Sequence, residues 1–141
     1  MSEFVKNFKR MPWPLRVLTL LSLMSVILVV ATIVPGGAVV GQKRVGLKDW
    51  WTNGSGPIFT FAIFLFFGAG IWLLKSRSLG RLAYISSFAG LYVAAYLVEQ
   101  INGMFYTRTE YFYDFLFAAF QLTVLGAYLF LSRRVKTFLA T

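Results

Sequence analysis

The sequence predicts an all-α integral membrane protein. Its expected architecture is a bundle of four transmembrane helices preceded by a short N-terminal amphipathic interfacial helix. Three observations carry that expectation. Hydrophobic residues are 58% of the 141 and charged residues only 13%, about half the roughly 25% of a soluble domain. The apolar residues gather in four charge-free stretches. The basic residues fall mostly on one side once those stretches are threaded through a bilayer.

The first stretch runs from Val17 to Val34 without a charge. The second lies between Asp49 and Lys75, with Pro57 to Leu74 as its apolar part. Leu82 to Val98 and Phe115 to Ser132 complete the set. A hydrocarbon core about 30 Å thick takes roughly 20 helical residues, within a range of about 17–25. With their flanks, the stretches give spans at about 15–34, 57–75, 81–99 and 112–132. Lipid offers the backbone no hydrogen bonds, so each span should be an α-helix. A soluble helical core is excluded because too little polar surface remains to cover it. The length suits a single four-helix transmembrane domain, 1–141.

The punctuation agrees. Pro12 and Pro14 precede the first span, where a missing N–H is harmless. Pro35-Gly36-Gly37 ends it, Asn53-Gly54-Ser55-Gly56 precedes the second, and Asn102-Gly103 breaks the chain after the third. Ser76 to Gly80 is a short link, which makes spans two and three antiparallel neighbours. The first span is too long for the 7–15 residues of a signal-peptide core and is expected to be retained. Residues 3–11 put Phe4, Val5, Phe8 and Met11 on one helical face and Lys6, Asn7, Lys9 and Arg10 on the other. That pattern suits a basic helix lying in the headgroup plane. Arg133 and Arg134 open a similar stretch, expected to extend the fourth helix. In the long connection 36–56, Leu47, Trp50 and Trp51 fall at helical spacing and predict one interfacial turn of helix.

With the N-terminus in the cytoplasm, the inner side holds Lys6, Lys9, Arg10, Arg16, Lys75, Arg77, Arg81, Arg133, Arg134 and Lys136. The outer side holds Lys43, Arg44, Lys48 and Arg108. The excess predicts both termini inside, in what reads as a bacterial inner membrane. Trp13, Trp50, Trp51, Arg133 and Arg134 are the expected interfacial anchors. The net charge of +9 is accounted for by anionic lipid heads, so no nucleic-acid partner is expected.

The chain has no cysteine and no histidine. Disulfides, thiolate metal sites, His-ligated metals and His-based catalysis are therefore excluded. No metal, no cofactor and no enzymatic activity are expected. Ionisable residues inside a span point to function by default, and only Glu99 and Asp114 approach that position. Gln121 lies seven residues past Asp114, on the same face and about 10 Å deeper. The three form a candidate polar path from the outer side. Local satisfaction is the plainer alternative, with Asp114 capping its helix or pairing with Arg108.

Small residues recur every four positions at Ser86, Gly90 and Ala94, and again at Ala119, Thr123 and Ala127. Such stripes let helix backbones approach closely and are the expected packing faces. Ser22 and Ser25 share a face suited to hydrogen bonds across the bundle. Packing faces and anchors without catalytic residues favour a non-enzymatic accessory, assembly or structural subunit. Its expected partners are the bilayer, other membrane-protein subunits or copies of itself. The alternatives are a small oligomeric channel or transporter using Glu99, Asp114 and Gln121, and an immunity-type protein against a membrane-active toxin.

Overall fold

The computed structural model describes residues 2–140. The elements run α1 Glu3–Arg10, α2 Trp13–Met24, α3 Val26–Ile33, β1 Gly37–Val40, β2 Lys43–Gly46, α4 Leu47–Thr52, α5 Ser55–Leu74, α6 Gly80–Ile101, α7 Arg108–Leu131 and α8 Arg133–Ala140. Four helical stretches are long and apolar enough to cross a membrane: Trp13–Ile33, Ser55–Leu74, Gly80–Ile101 and Arg108–Leu131.

The first of these is not a uniform helix. At Ser25 the backbone N–H and the hydroxyl both donate to the Ser22 carbonyl, at 3.3 and 2.6 Å. That tight turn separates α2 from α3. Of the two serines expected to bond across the bundle, only Ser22 does so, its hydroxyl donating to the Phe66 carbonyl of α5. Three further hydroxyls are satisfied by backbone oxygen, as an apolar surrounding favours. Tyr84 donates to Leu18 at 2.8 Å, Thr32 to Val29 at 2.8 Å and Ser87 to Tyr84 at 3.1 Å.

Helix α5 is the hub. It packs against α2, α3, α4 and α6, whereas α7 packs against α6 and α8. The buried face of α5 reads Ala62, Ile63, Phe66, Ala69, Gly70 and Leu73. Gly70 sits directly against the Ser22 side chain, with no room for a Cβ. The fourth span is the least embedded: Leu129 is its one buried residue.

Two layers close the ends. At the basic end α8 does not extend the fourth span as expected. Ser132 takes an extended conformation (φ −62°, ψ 120°), and α8 turns so that Val135, Phe138 and Leu139 join Met11, Leu15, Leu73, Tyr84 and Leu129 in one apolar core. The apolar spacing of those three residues is what sends the segment back rather than outward. Asn7 donates to the Leu74 carbonyl at 3.1 Å and ties α1 to the end of α5.

At the opposite end the sequence predicts one turn of helix. That turn exists as α4, but an antiparallel hairpin precedes it, pairing Val40 with Lys43 and Gly37 with Gly46. Gly41 takes φ 60°, the positive value required at the first central residue of a two-residue type II′ turn. Val40 and Val45 then pack with Trp50 and Val98. Trp50 is 3% exposed and meets Phe59 edge-on, with ring centroids 5.8 Å apart. Its expected role as a lipid anchor therefore does not hold: the indole faces the hairpin core. Trp51 and Trp13 are exposed.

Candidate functional site

The candidate polar residues separate into a pair and an outlier. Glu99, in the last two turns of α6, and Asp114, near the start of α7, line one groove between these helices. Its volume is about 640 Å³, and its walls are Tyr92, Val93, Ala95, Tyr96, Tyr111, Phe115, Phe117 and Ala118. Val93, Tyr96, Phe115 and Phe117 are exposed, so the groove lies open along the flank of the helix pair. Gln121 is not in its wall. The expected continuous path from Asp114 to Gln121 is thus not formed within one chain.

The groove owes its shape to two local devices. Thr107 and Glu110 form a capping box at the start of α7: the Glu110 N–H donates to the Thr107 hydroxyl at 3.3 Å, and the Thr107 N–H donates to the Glu110 carboxylate at 2.6 Å. That motif starts α7 at Arg108, earlier than the apolar stretch suggested. Tyr111, one residue beyond Glu110, pins α7 to α6. Its hydroxyl accepts from the Gln100 amide at 2.6 Å and from the Tyr106 N–H at 3.4 Å. Its ring stands edge-on to Tyr96 and Tyr106, each at 5.8 Å.

Asp114 does not cap the helix, since Thr107 and Glu110 do so. Among the described residues neither the Asp114 nor the Glu99 carboxylate has a hydrogen bond or an ion pair. Their charges are felt nearby: the Tyr106 phenol is held above its ordinary range, first by the Glu99 carboxylate, then by burial, then by Asp114, Tyr111 and Glu110. The groove is thus an aromatic trough with an uncompensated negative end. Tyr111 and Tyr106 belong to the aromatic belt expected at the outer boundary, whereas Tyr92 and Tyr96 carry no such expectation, although Tyr92, Tyr96 and Glu99 at i, i+4 and i+7 announce one shared face.

The small-residue stripe of α6 is open at its glycine. A Cβ at Gly90 would touch nothing within 4 Å. Ser86, Thr123 and Ala127 are exposed, Ala119 is half-buried and Ala94 is buried. Close approaches between spans fall instead at Gly70, against the Ser22 side chain, and at Gly80, against the Leu73 backbone.

A buried polar cluster holds the hairpin end in register with α6. The Asn102 amide donates to the Ser55 hydroxyl at 2.9 Å and to the Val98 carbonyl at 2.7 Å, while its oxygen accepts from Asn53 at 3.1 Å. Asn53 in turn accepts from the Ser55 N–H at 2.9 Å. The Asn53 side chain is therefore engaged through both its amide nitrogen and its oxygen. Among the described residues no group of three or more Asp or Glu side chains is placed to hold a metal ion.

The fold and this groove define a small membrane protein with four candidate spans. Comparison with protein-family models, curated proteins and solved structures found no match.

Proposed function

We propose that the protein is a non-enzymatic accessory or assembly subunit of a bacterial inner-membrane complex. The α6–α7 groove receives an apolar helix of a partner subunit that brings a basic residue to its outer end. One observation carries this reading: two unpaired carboxylates, Glu99 and Asp114, stand in a lateral, aromatic-walled groove. A carboxylate at the edge of the hydrocarbon layer is costly unless it is paired, and an arriving Lys or Arg would compensate both. The lateral opening, with Gln121 outside the wall, favours helix docking over conduction. The basic asymmetry supports an orientation with both termini in the cytoplasm. A cysteine at Ser78 is then shielded from an impermeant thiol reagent in intact cells, while one at Gln42, in the hairpin turn, reacts.

The test is native mass spectrometry after mild detergent extraction from the native membrane, with flux measurements on the purified chain in vesicles. The expected result is a complex of fixed stoichiometry with another integral membrane protein. Ala95→Phe, which fills the groove from an exposed position, should dissolve it, and so should Glu99→Gln combined with Asp114→Asn. Homo-oligomers alone, or cation flux that the carboxylate substitutions abolish, would overturn the reading in favour of a channel.

A further inference from the structure

The whole net charge of the protein resides at one end. Ten basic residues and one acidic residue, Glu3, lie at the end formed by α1, α8 and the α5–α6 link, whereas the hairpin end holds four of each. At the basic end a cavity of about 460 Å³ opens between the α1–α2 corner and α8. Arg10, Arg133 and Arg134 stand on its walls, Met11 and Phe138 supply apolar surface, and among the described residues no carboxylate lines it.

The surroundings hold these groups in place. The corner bearing Arg10 is fixed by Arg16, whose guanidinium donates to the Met11 carbonyl at 2.9 Å and to the Lys9 carbonyl at 2.5 Å. The wall bearing Arg133 and Arg134 is fixed by Val135, Phe138 and Leu139, which are buried against Met11 and Leu15. Both of these arginines occupy the first turn of α8. A helix start carries about half a positive charge and disfavours cations there. Its first N–H groups lack acceptors within the helix. Three arginines and a helix start therefore line one cavity, with no anion of the described residues between them. Exposed Trp13 and Leu131 stand close along the chain on either side, an apolar flank of the kind that acyl chains cover.

We propose that this cavity is a binding site for the phosphate-bearing headgroup of an anionic phospholipid. Guanidiniums match phosphate oxygens in a planar, bidentate fashion. The apolar floor takes the glycerol backbone, and the end of the molecule rich in positive charge lies where headgroups lie. The site is independent of the α6–α7 groove and stands whether or not a partner subunit binds there.

The experiment uses the full chain, purified in mild detergent and stripped of lipid. Phosphatidylglycerol, phosphatidylcholine and inorganic phosphate are titrated separately, with bound lipid counted by native mass spectrometry. Phosphatidylglycerol should bind as a single tight equivalent and phosphatidylcholine should not. The triple substitution Arg10→Gln, Arg133→Gln, Arg134→Gln should weaken that equivalent about a hundredfold, at the scale of one basic contact each. A charge-matched control, Lys6→Gln, Arg77→Gln, Arg81→Gln, should weaken it about threefold or less, because those side chains lie outside the cavity. Thr137→Phe, which fills the cavity from an exposed position and leaves every charge, should also release the lipid. Equal losses in the triple and its control would overturn the proposal in favour of diffuse attraction. Unaltered binding to the Thr137→Phe chain would also overturn it. Displacement of phosphatidylglycerol by inorganic phosphate at equal concentration would overturn the lipid assignment in favour of a free phosphate.

Discussion

Gly70 and Gly90 pose the sharpest test of how the spans pack. Both are helical glycines in membrane-crossing segments, and sequence periodicity marks only Gly90 as a packing position. The structure reverses their weight. A Cβ built on Gly70 overlaps the Ser22 side chain, whose hydroxyl is engaged by the Phe66 carbonyl. Ser22 is fully buried and cannot retreat without releasing that bond. Overpacking of this kind costs about 1–3 kcal/mol, and a lost hydrogen bond adds about 1 kcal/mol. The better helix propensity of alanine returns about 1 kcal/mol. Gly70→Ala should therefore destabilise the chain by about 1–3 kcal/mol on balance. At Gly90 the space is open, so only the propensity gain remains, and Gly90→Ala should be neutral or stabilising by up to about 1 kcal/mol. The assay is reversible unfolding of the purified chain in mixed micelles, followed by far-UV circular dichroism across a denaturing-detergent titration. Equal midpoints for parent and Gly70→Ala would refute the α2–α5 packing described here. A Gly90→Ala loss as large as that of Gly70→Ala would show that α6 presses its small-residue stripe on another helix.

Two further outcomes concern the hairpin end. Asn102→Ala removes bonds to Ser55 and Val98 and leaves the fully buried Ser55 hydroxyl without its donor. It should cost about 2–4 kcal/mol and speed proteolysis in the 36–56 connection, whereas unchanged cleavage would show the cluster to be incidental. Trp50 buries an indole N–H that has no partner among the described residues. Trp50→Ala should cost about 3–5 kcal/mol, but Trp50→Phe only about 1 kcal/mol, because deleting the unpaired donor offsets most of the lost contact. Amide hydrogen exchange in the hairpin reads both, and equal damage from the two substitutions would mean that the indole N–H is satisfied.

By itself the sequence determined the four spans and the asymmetry of charge. Those properties are additive: an apolar stretch of sufficient length must become a helix in lipid, and Lys and Arg counts do not depend on which helices touch. The capping box at Thr107 and Glu110 and the Gly41-Gln42 turn were equally local. Both could have been read from residue type and spacing, and they moved the start of α7 and added the hairpin. The tertiary structure alone decided which faces meet. Small-residue stripes occur on α6 and α7, but close approach requires a partner surface of matching shape, and that surface exists at Ser22 against Gly70. The same holds for polarity. Glu99 and Asp114 lie fifteen positions apart in the chain and share a groove only because Tyr111 holds α7 against Tyr96 and Gln100. Arg10 and Arg133 come together because Ser132 turns α8 back and its apolar face is buried against Met11 and Leu15. Neighbourhoods between distant residues arise from burial shared among several elements, which no single stretch of sequence encodes.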